Sequence, residues 1–134
     1  MLEIGKTATA TTIVCEENTA KAVGSGSLSV FSTPMMIALM EQAACECLVD
    51  ALEAGQTSVG TMINVEHLAA SALGTKISAT ARVEKIDGKK VFFTVDAYNA
   101  VPRDDSGIDD YRILIGKGTH ERFIVDAARF MAKL

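Results

Sequence analysis

Residues 6–14, KTATATTIV, alternate small polar with β-branched or apolar side chains. That period of two predicts a strand with one face turned inward. The pattern changes at Thr33-Pro34, where apolar residues recur at helical spacing from Pro34 to about Ala54 before Gly55. Thr33 suits the N-cap, Pro34 the first helical position and Gly55 the stop. Four further β-rich runs follow: 58–67 (SVGTMINVEH), 75–86 (TKISATARVEKI), 90–100 (KVFFTVDAYNA) and 112–126 (RILIGKGTHERFIVD). Asp87-Gly88 reads as a hairpin turn between two of them. The stretch Cys15–Ser29, with its GSGSLS, reads as a mobile loop. VPRDDSGIDDY (101–111) reads as an acidic hairpin loop, and the last residues, DAARFMAKL, as a short helix or a loosely attached tail.

This order of elements defines an α+β fold. Short links between the last three strands imply antiparallel pairing. A helix of about 21 residues is about 31 Å long at 1.5 Å per residue. A single helix with so apolar a face needs a sheet to cover it, so the simplest architecture is an antiparallel sheet of about five strands wrapped around one long central helix. With 134 residues, the expected organisation is one domain spanning 1–134.

Composition narrows the partners. Apolar residues make up 49% and charged residues 22%, with a net charge of −4. No basic cluster stands out, which argues against nucleic acid. No apolar run reaches the length of a membrane span, and the N-terminus lacks a signal-peptide pattern. The three cysteines form neither a CxxC nor a zinc spacing, so buried free thiols in a reducing cytoplasm are expected and no metal is. GSGSLS lacks the lysine of a phosphate loop, and no Gly-x-Ser-x-Gly elbow occurs.

Glu41 is the anomaly. On a helical projection Glu46, Asp50 and Glu53 form one solvated stripe, whereas Glu41 falls on the other side among Ile37, Ala44, Cys45, Leu48 and Leu52. A carboxylate there is either a structural group bonded to a strand or subunit seam, or a functional group whose orientation is set by partial burial. His67 ends a predicted strand, while His120, inside one, reads as structural. Thr33, beyond capping, stands where free helix N–H groups can polarise a carbonyl or hold an oxyanion. Thr33 and Glu41 are separated by about 12 Å of helix. They can flank a small acyl group and a water, or serve different sites across a dimer seam.

Taken together, VFSTPMMIALMEQAAC, SVGTMINVEHLAAS with the following LG, and IGKGTHERFIV resemble the hotdog-fold thioesterases, and most closely the fluoroacetyl-CoA thioesterase-like family. The resemblance implies a catalytic Thr33, Glu41 and His67, with Gly60 and Arg122 as substrate-binding residues. It also implies an acyl-CoA thioesterase that needs no cofactor and assembles as a homodimer, or a tetramer of such dimers, with sites at the subunit seam. In that picture Glu41 is base or nucleophile. His67 orients it or shuttles a proton to the thiolate, and Thr33 positions the carbonyl or water or itself attacks. Two other activities remain open: a binding module for acyl-CoA without turnover, and a hotdog hydratase or dehydratase, although the Asp/His motif of the latter is not found. The resemblance also associates selectivity for fluoroacetyl groups with phenylalanines on a lid before the helix. The corresponding CEENTAKAVGSGSLS contains no aromatic residue, so a broader acyl range is expected.

Overall fold

The computed structural model describes residues 2–102 and 110–134, with side chains for 2–99 and 112–134. Five strands, β1 (Thr7–Ile13), β2 (Gln56–His67), β3 (Lys76–Asp87), β4 (Lys90–Pro102) and β5 (Asp110–Asp126), form one sheet in the order β1-β3-β4-β5-β2. Every neighbouring pair is antiparallel. The helix α2 (Thr33–Leu48) lies across the inner face of the sheet. The expected architecture is therefore the observed one.

The core follows from the two periodicities. Along α2, Met36, Leu39, Met40, Ala43, Ala44, Cys47 and Leu48 are buried. They meet Ile77, Ala79, Ala81 and Val83 of β3, and Val91, Phe93, Val95 and Ala97 of β4, each set spaced two apart. The facing alanines let helix and sheet approach closely, so a leucine at Ala43 or Ala81 would overpack the contact at a cost of about 1–3 kcal/mol. Of the three free cysteines only Cys47 is buried, while Cys45 is half-buried and Cys15 exposed.

Three expectations change in detail. First, α2 ends at Leu48 rather than near Ala54; a 3-10 turn, Val49–Ala51, tightens the last carbonyls and Leu52 is already extended. Gly55, at φ 83°, serves the turn into β2 instead of capping the helix. There the Gln56 N–H donates to the Glu53 carbonyl at 3.0 Å. Second, the stretch read as a mobile loop contains a 3-10 turn (Glu16–Asn18) and a one-turn helix, α1 (Ala20–Val23). Buried Asn18 anchors it, its side chain accepting from the Cys15 N–H and donating to the Ile13 carbonyl. Third, the ends of 101–111 belong to strands, with Val101 opposite Tyr111 and Pro102 opposite Asp110; the rest of that expected loop, 103–109, lies outside the described residues.

A hairpin turn joins β3 to β4 as expected, but at Gly88-Lys89, one residue later than Asp87-Gly88, because Asp87 still pairs with Lys90. The C-terminal residues form a short helix, α3 (Ala127–Ala132), capped by the Asp126 carboxylate, which accepts from the Arg129 N–H. Among the described residues β2 pairs only with β5, and its other edge is open.

Candidate active site

Ser32, rather than Thr33, is the N-cap of α2: its hydroxyl accepts from the Met35 N–H at 3.3 Å. The cap role expected of Thr33 is thus taken by its neighbour, and the Thr33 hydroxyl is left for another partner. That partner is His67 at the end of β2, whose Nδ1 lies 2.8 Å from Thr33 Oγ1. Burial pulls the His67 ring below its ordinary pKa, partly offset by the Ala69 backbone. Its Nε2 is buried without a hydrogen-bond partner. With the proton on Nε2, Nδ1 accepts from the hydroxyl, which is the arrangement a general base requires. A cavity of about 300 Å³ opens beside the pair, with Ala20, Val30, Leu68, Ala69 and Ala70 in its walls.

Two turns further along α2, Glu41 lies at the edge of the core with 40% of its side chain exposed. Arg122 of β5 donates from Nη1 to Glu41 Oε2 at 3.0 Å. The guanidinium is itself fixed, Nε donating to Ser58 Oγ at 2.8 Å and Nη2 to the Ser58 carbonyl at 3.1 Å. His120 supports it from two residues away on the same face of β5. Its Nδ1 lies 2.7 Å from the Met62 carbonyl, so Nδ1 carries the proton, and Nε2 accepts from Arg122 Nη1 at 3.3 Å. The ring is buried and stacked near Phe93. Burial is the main cause holding His120 below its ordinary pKa.

Gly60 makes room for this cluster. It sits opposite Arg122 at a break in the β2–β5 register between Gly60 and Met62. A Cβ there would come within 2.6 Å of Glu41 Oε2 and 3.3 Å of both Arg122 Nη1 and His120 Cε1. Gly60→Ala should therefore keep the fold but displace the carboxylate. A roughly ten- to hundredfold loss in turnover, the scale of a misplaced catalytic group, is expected in steady-state assays; a wild-type rate would show that the carboxylate position is not critical.

Both histidines are depressed by burial, so the folded state binds fewer protons than the unfolded chain. Their contribution to stability is complete above the unfolded histidine value of about 6.5 and is lost as pH falls through the depressed folded values. Thermal melts between pH 8 and pH 5 should show the midpoint falling below about pH 6.5; a flat profile would contradict the buried, neutral rings.

Within one chain the five expected residues form two groups, not one. Thr33 and His67 share one cavity, whereas Glu41, Gly60 and His120 line another of about 310 Å³. Within one chain His67 contacts Thr33, and Arg122 is the group bonded to Glu41. Sequence reasoning missed Ser58 and assigned His120 a purely structural place. The signal for His120 was its spacing of two from Arg122, which puts both on one face of a strand. A further cavity of about 510 Å³ lies on the outer face of the sheet around Asp96 and Lys117 and contains none of these groups. Among the described residues no group of three or more His, Cys, Asp or Glu side chains is placed to hold a metal.

Comparison with solved structures extends this picture. The fluoroacetyl-CoA thioesterase FlK superposes with a TM-score of 0.82 and 29% identity, over 99% of this chain and 95% of that one. A hypothetical protein of Thermus thermophilus, described as a thioesterase superfamily member, superposes with a TM-score of 0.83 and 29% identity, over 99% and 90%. The wrapped helix and these likenesses define the protein as a hotdog-fold thioesterase, a thioester hydrolase. At the level of sequence, the family model for fluoroacetyl-CoA-specific thioesterases matches residues 14–128, and the fluoroacetyl-CoA thioesterase of Streptantibioticus cattleyicolor is 35% identical over 105 residues, 78% of this chain and 68% of that protein. The chain belongs to the fluoroacetyl-CoA-specific thioesterase family.

Proposed function

We propose that the protein hydrolyses short and medium acyl-CoA thioesters at a site shared between two copies of the chain. Thr33 and His67 come from one copy, Glu41 and Arg122 from the other. The observation that carries this reading is the 2.8 Å contact between Thr33 Oγ1 and His67 Nδ1: it gives a hydroxyl whose proton already has an acceptor. Thr33 Oγ attacks the thioester carbonyl and its proton passes to His67. The positive end of α2 and the Thr33 N–H stabilise the oxyanion; Pro34 has no N–H, and those of Met35 and Met36 are held by Ser32. The carbon–sulfur bond breaks and His67 returns the proton to the departing thiolate. Arg122 holds Glu41 Oε2, and Oε1 has no hydrogen bond among the described residues. Glu41 then takes a proton from a water whose oxygen bonds to the acyl carbon; the bond from that carbon to Thr33 Oγ breaks, the proton held by Glu41 passes to the departing Oγ, and the free acid leaves.

The separate cavities and the open β2 edge support assembly about a two-fold axis. Light scattering should give a dimer or a larger even assembly, and a fully active monomer would contradict the shared site. FlK with one phenylalanine replaced by alanine has been solved with fluoroacetate and CoA, which supports a CoA thioester as substrate. The three unpaired thiols suit a reducing cytoplasm.

The acyl range is expected to be broad. Beside Thr33 the cavity is walled by Ala20, Ser25, Val30, Leu68, Ala69 and Ala70, with the buried Phe31 ring at its base, and residues 15–29 add no aromatic cover. One methylene changes discrimination by only about 1–3 kcal/mol in such a pocket. The test is thiol release from acetyl-, fluoroacetyl-, butyryl-, hexanoyl- and phenylacetyl-CoA under one condition. Several should turn over, with fluoroacetyl-CoA only modestly preferred over acetyl-CoA. Binding without thiol release from any would make the protein a ligand-binding module, and a fluoroacetyl preference of about ten-thousandfold, beyond what a small contact supplies, would overturn the broad range.

A further inference from the structure

The end of β5 carries a further concave feature, lined by residues other than those of the Thr33 and Glu41 cavities. Lys90 opposite Phe123 is the last pair between β4 and β5, so the strand overhangs its neighbour from Ile124 to Asp126. The Gly88-Lys89 turn stands on one side of this notch and α3 folds back on the other. Between them lies an open cavity of about 180 Å³ lined by Lys89, Phe123, Asp126, Arg129, Phe130 and Lys133. The Asp126 carboxylate is already engaged as the cap of α3.

Two features set the notch apart from the rest of the surface. Phe123 and Phe130 are 40% and 37% exposed, an unusual use of aromatic side chains in a chain with few of them. Around them stand three cations, and none makes an ion pair among the described residues, whereas nearby Lys90 is tied to Glu121 at 2.8 Å. In a protein of net charge −4, this concentration of unpaired positive charge favours an anion. Aromatic faces beside it favour a flat heterocycle, since a base stacks on them and its phosphates meet lysine or arginine.

We infer that this notch binds the phosphorylated adenosine end of the CoA substrate, the base against Phe123 and Phe130 and the phosphates on Lys89, Arg129 and Lys133. The inference rests on the acyl-CoA reading proposed above and names the part of the substrate that site does not reach. Along β5 the four residues from Arg122 to Asp126 span about 13 Å at 3.3 Å per residue, less than an extended pantetheine arm. The notch borders the β4 side of β5, away from the open β2 edge, so pairing of β2 with another copy leaves it uncovered.

The experiment compares two substrates that share an acyl group: butyryl-CoA, and butyryl-N-acetylcysteamine, which lacks the nucleotide. In the triple variant K89E/R129E/K133E the KM for butyryl-CoA should rise about tenfold or more, the scale of a lost phosphate contact, with kcat unchanged and no effect on the truncated substrate. Phe130→Ala should weaken the CoA ester alone in the same way. Direct titration with adenosine 3′,5′-bisphosphate should show binding to the wild type and not to the triple variant. Equal changes for both substrates, no change for butyryl-CoA, or no binding of the bisphosphate to the wild type would overturn the assignment. Bisphosphate binding that the triple variant loses, in a protein that hydrolyses neither thioester, would keep the nucleotide site and defeat the thioesterase reading instead.

Discussion

Glu41→Gln should fold like the wild type yet lose at least about a hundredfold in steady-state hydrolysis, the usual scale for a positioned acid or base. The side chain is 40% exposed and Arg122 reaches it through a single oxygen, Oε2. A glutamine of the same shape can present its carbonyl oxygen to Arg122, so the packing of α2 against the sheet has no reason to change. What it cannot do is take a proton from water. Because Thr33 and His67 are untouched, acylation should still proceed. The variant should therefore release close to one thiol per site in a rapid burst and then stall as acyl-Thr33, visible as a mass increment on the intact chain. Near wild-type turnover would remove Glu41 from the mechanism. A slow variant with neither burst nor adduct would move Glu41 to the first chemical step.

Thr33→Val should cost at least as much, about a hundredfold or more, with no adduct on the chain. Valine keeps the branched shape and removes only the hydroxyl. Ser32 still caps α2 through the Met35 N–H, so the helix start should survive and the melting temperature should move little. Thr33→Ser restores the hydroxyl and should recover most of the rate. The pair separates chemistry from shape: equal activity in both variants would reduce Thr33 to a structural residue. Loss of His67 should resemble Thr33→Val, because the hydroxyl then lacks the acceptor now 2.8 Å away.

How far the sequence reveals this arrangement varies by element. The alternation in β3 and β4 and the apolar stripe of α2 are strong local signals, and they define the wrapped-helix fold because each has only one face to bury. Glu41 is legible for the same reason: it breaks the separation of charge from the apolar side. The identity of the cap is not, since Ser32 and Thr33 are both good N-caps and only the three-dimensional demand of His67 separates them. The helix end is missed because Gly55 is a strong stop signal that the chain spends on the next turn. The Arg122–His120–Ser58 support of Glu41 depends on strand register, with Gly60 opposite Arg122, and a register interrupted by a bulge cannot be counted out from sequence spacing.

The shared site makes one further demand, met by mixing two inactive proteins. Thr33→Val and Glu41→Gln homodimers, dissociated and reassembled together, form mixed dimers in which one site carries both substitutions and the other carries neither. If Thr33 of one copy works with Glu41 of its partner, butyryl-CoA hydrolysis should return to about one quarter of the wild-type rate, because half of the dimers are mixed and each holds one intact site of two. If the two residues serve a site within a single copy, every site keeps one defect. A mixture no more active than the sum of its parents, with subunit exchange verified by mass, would contradict the account.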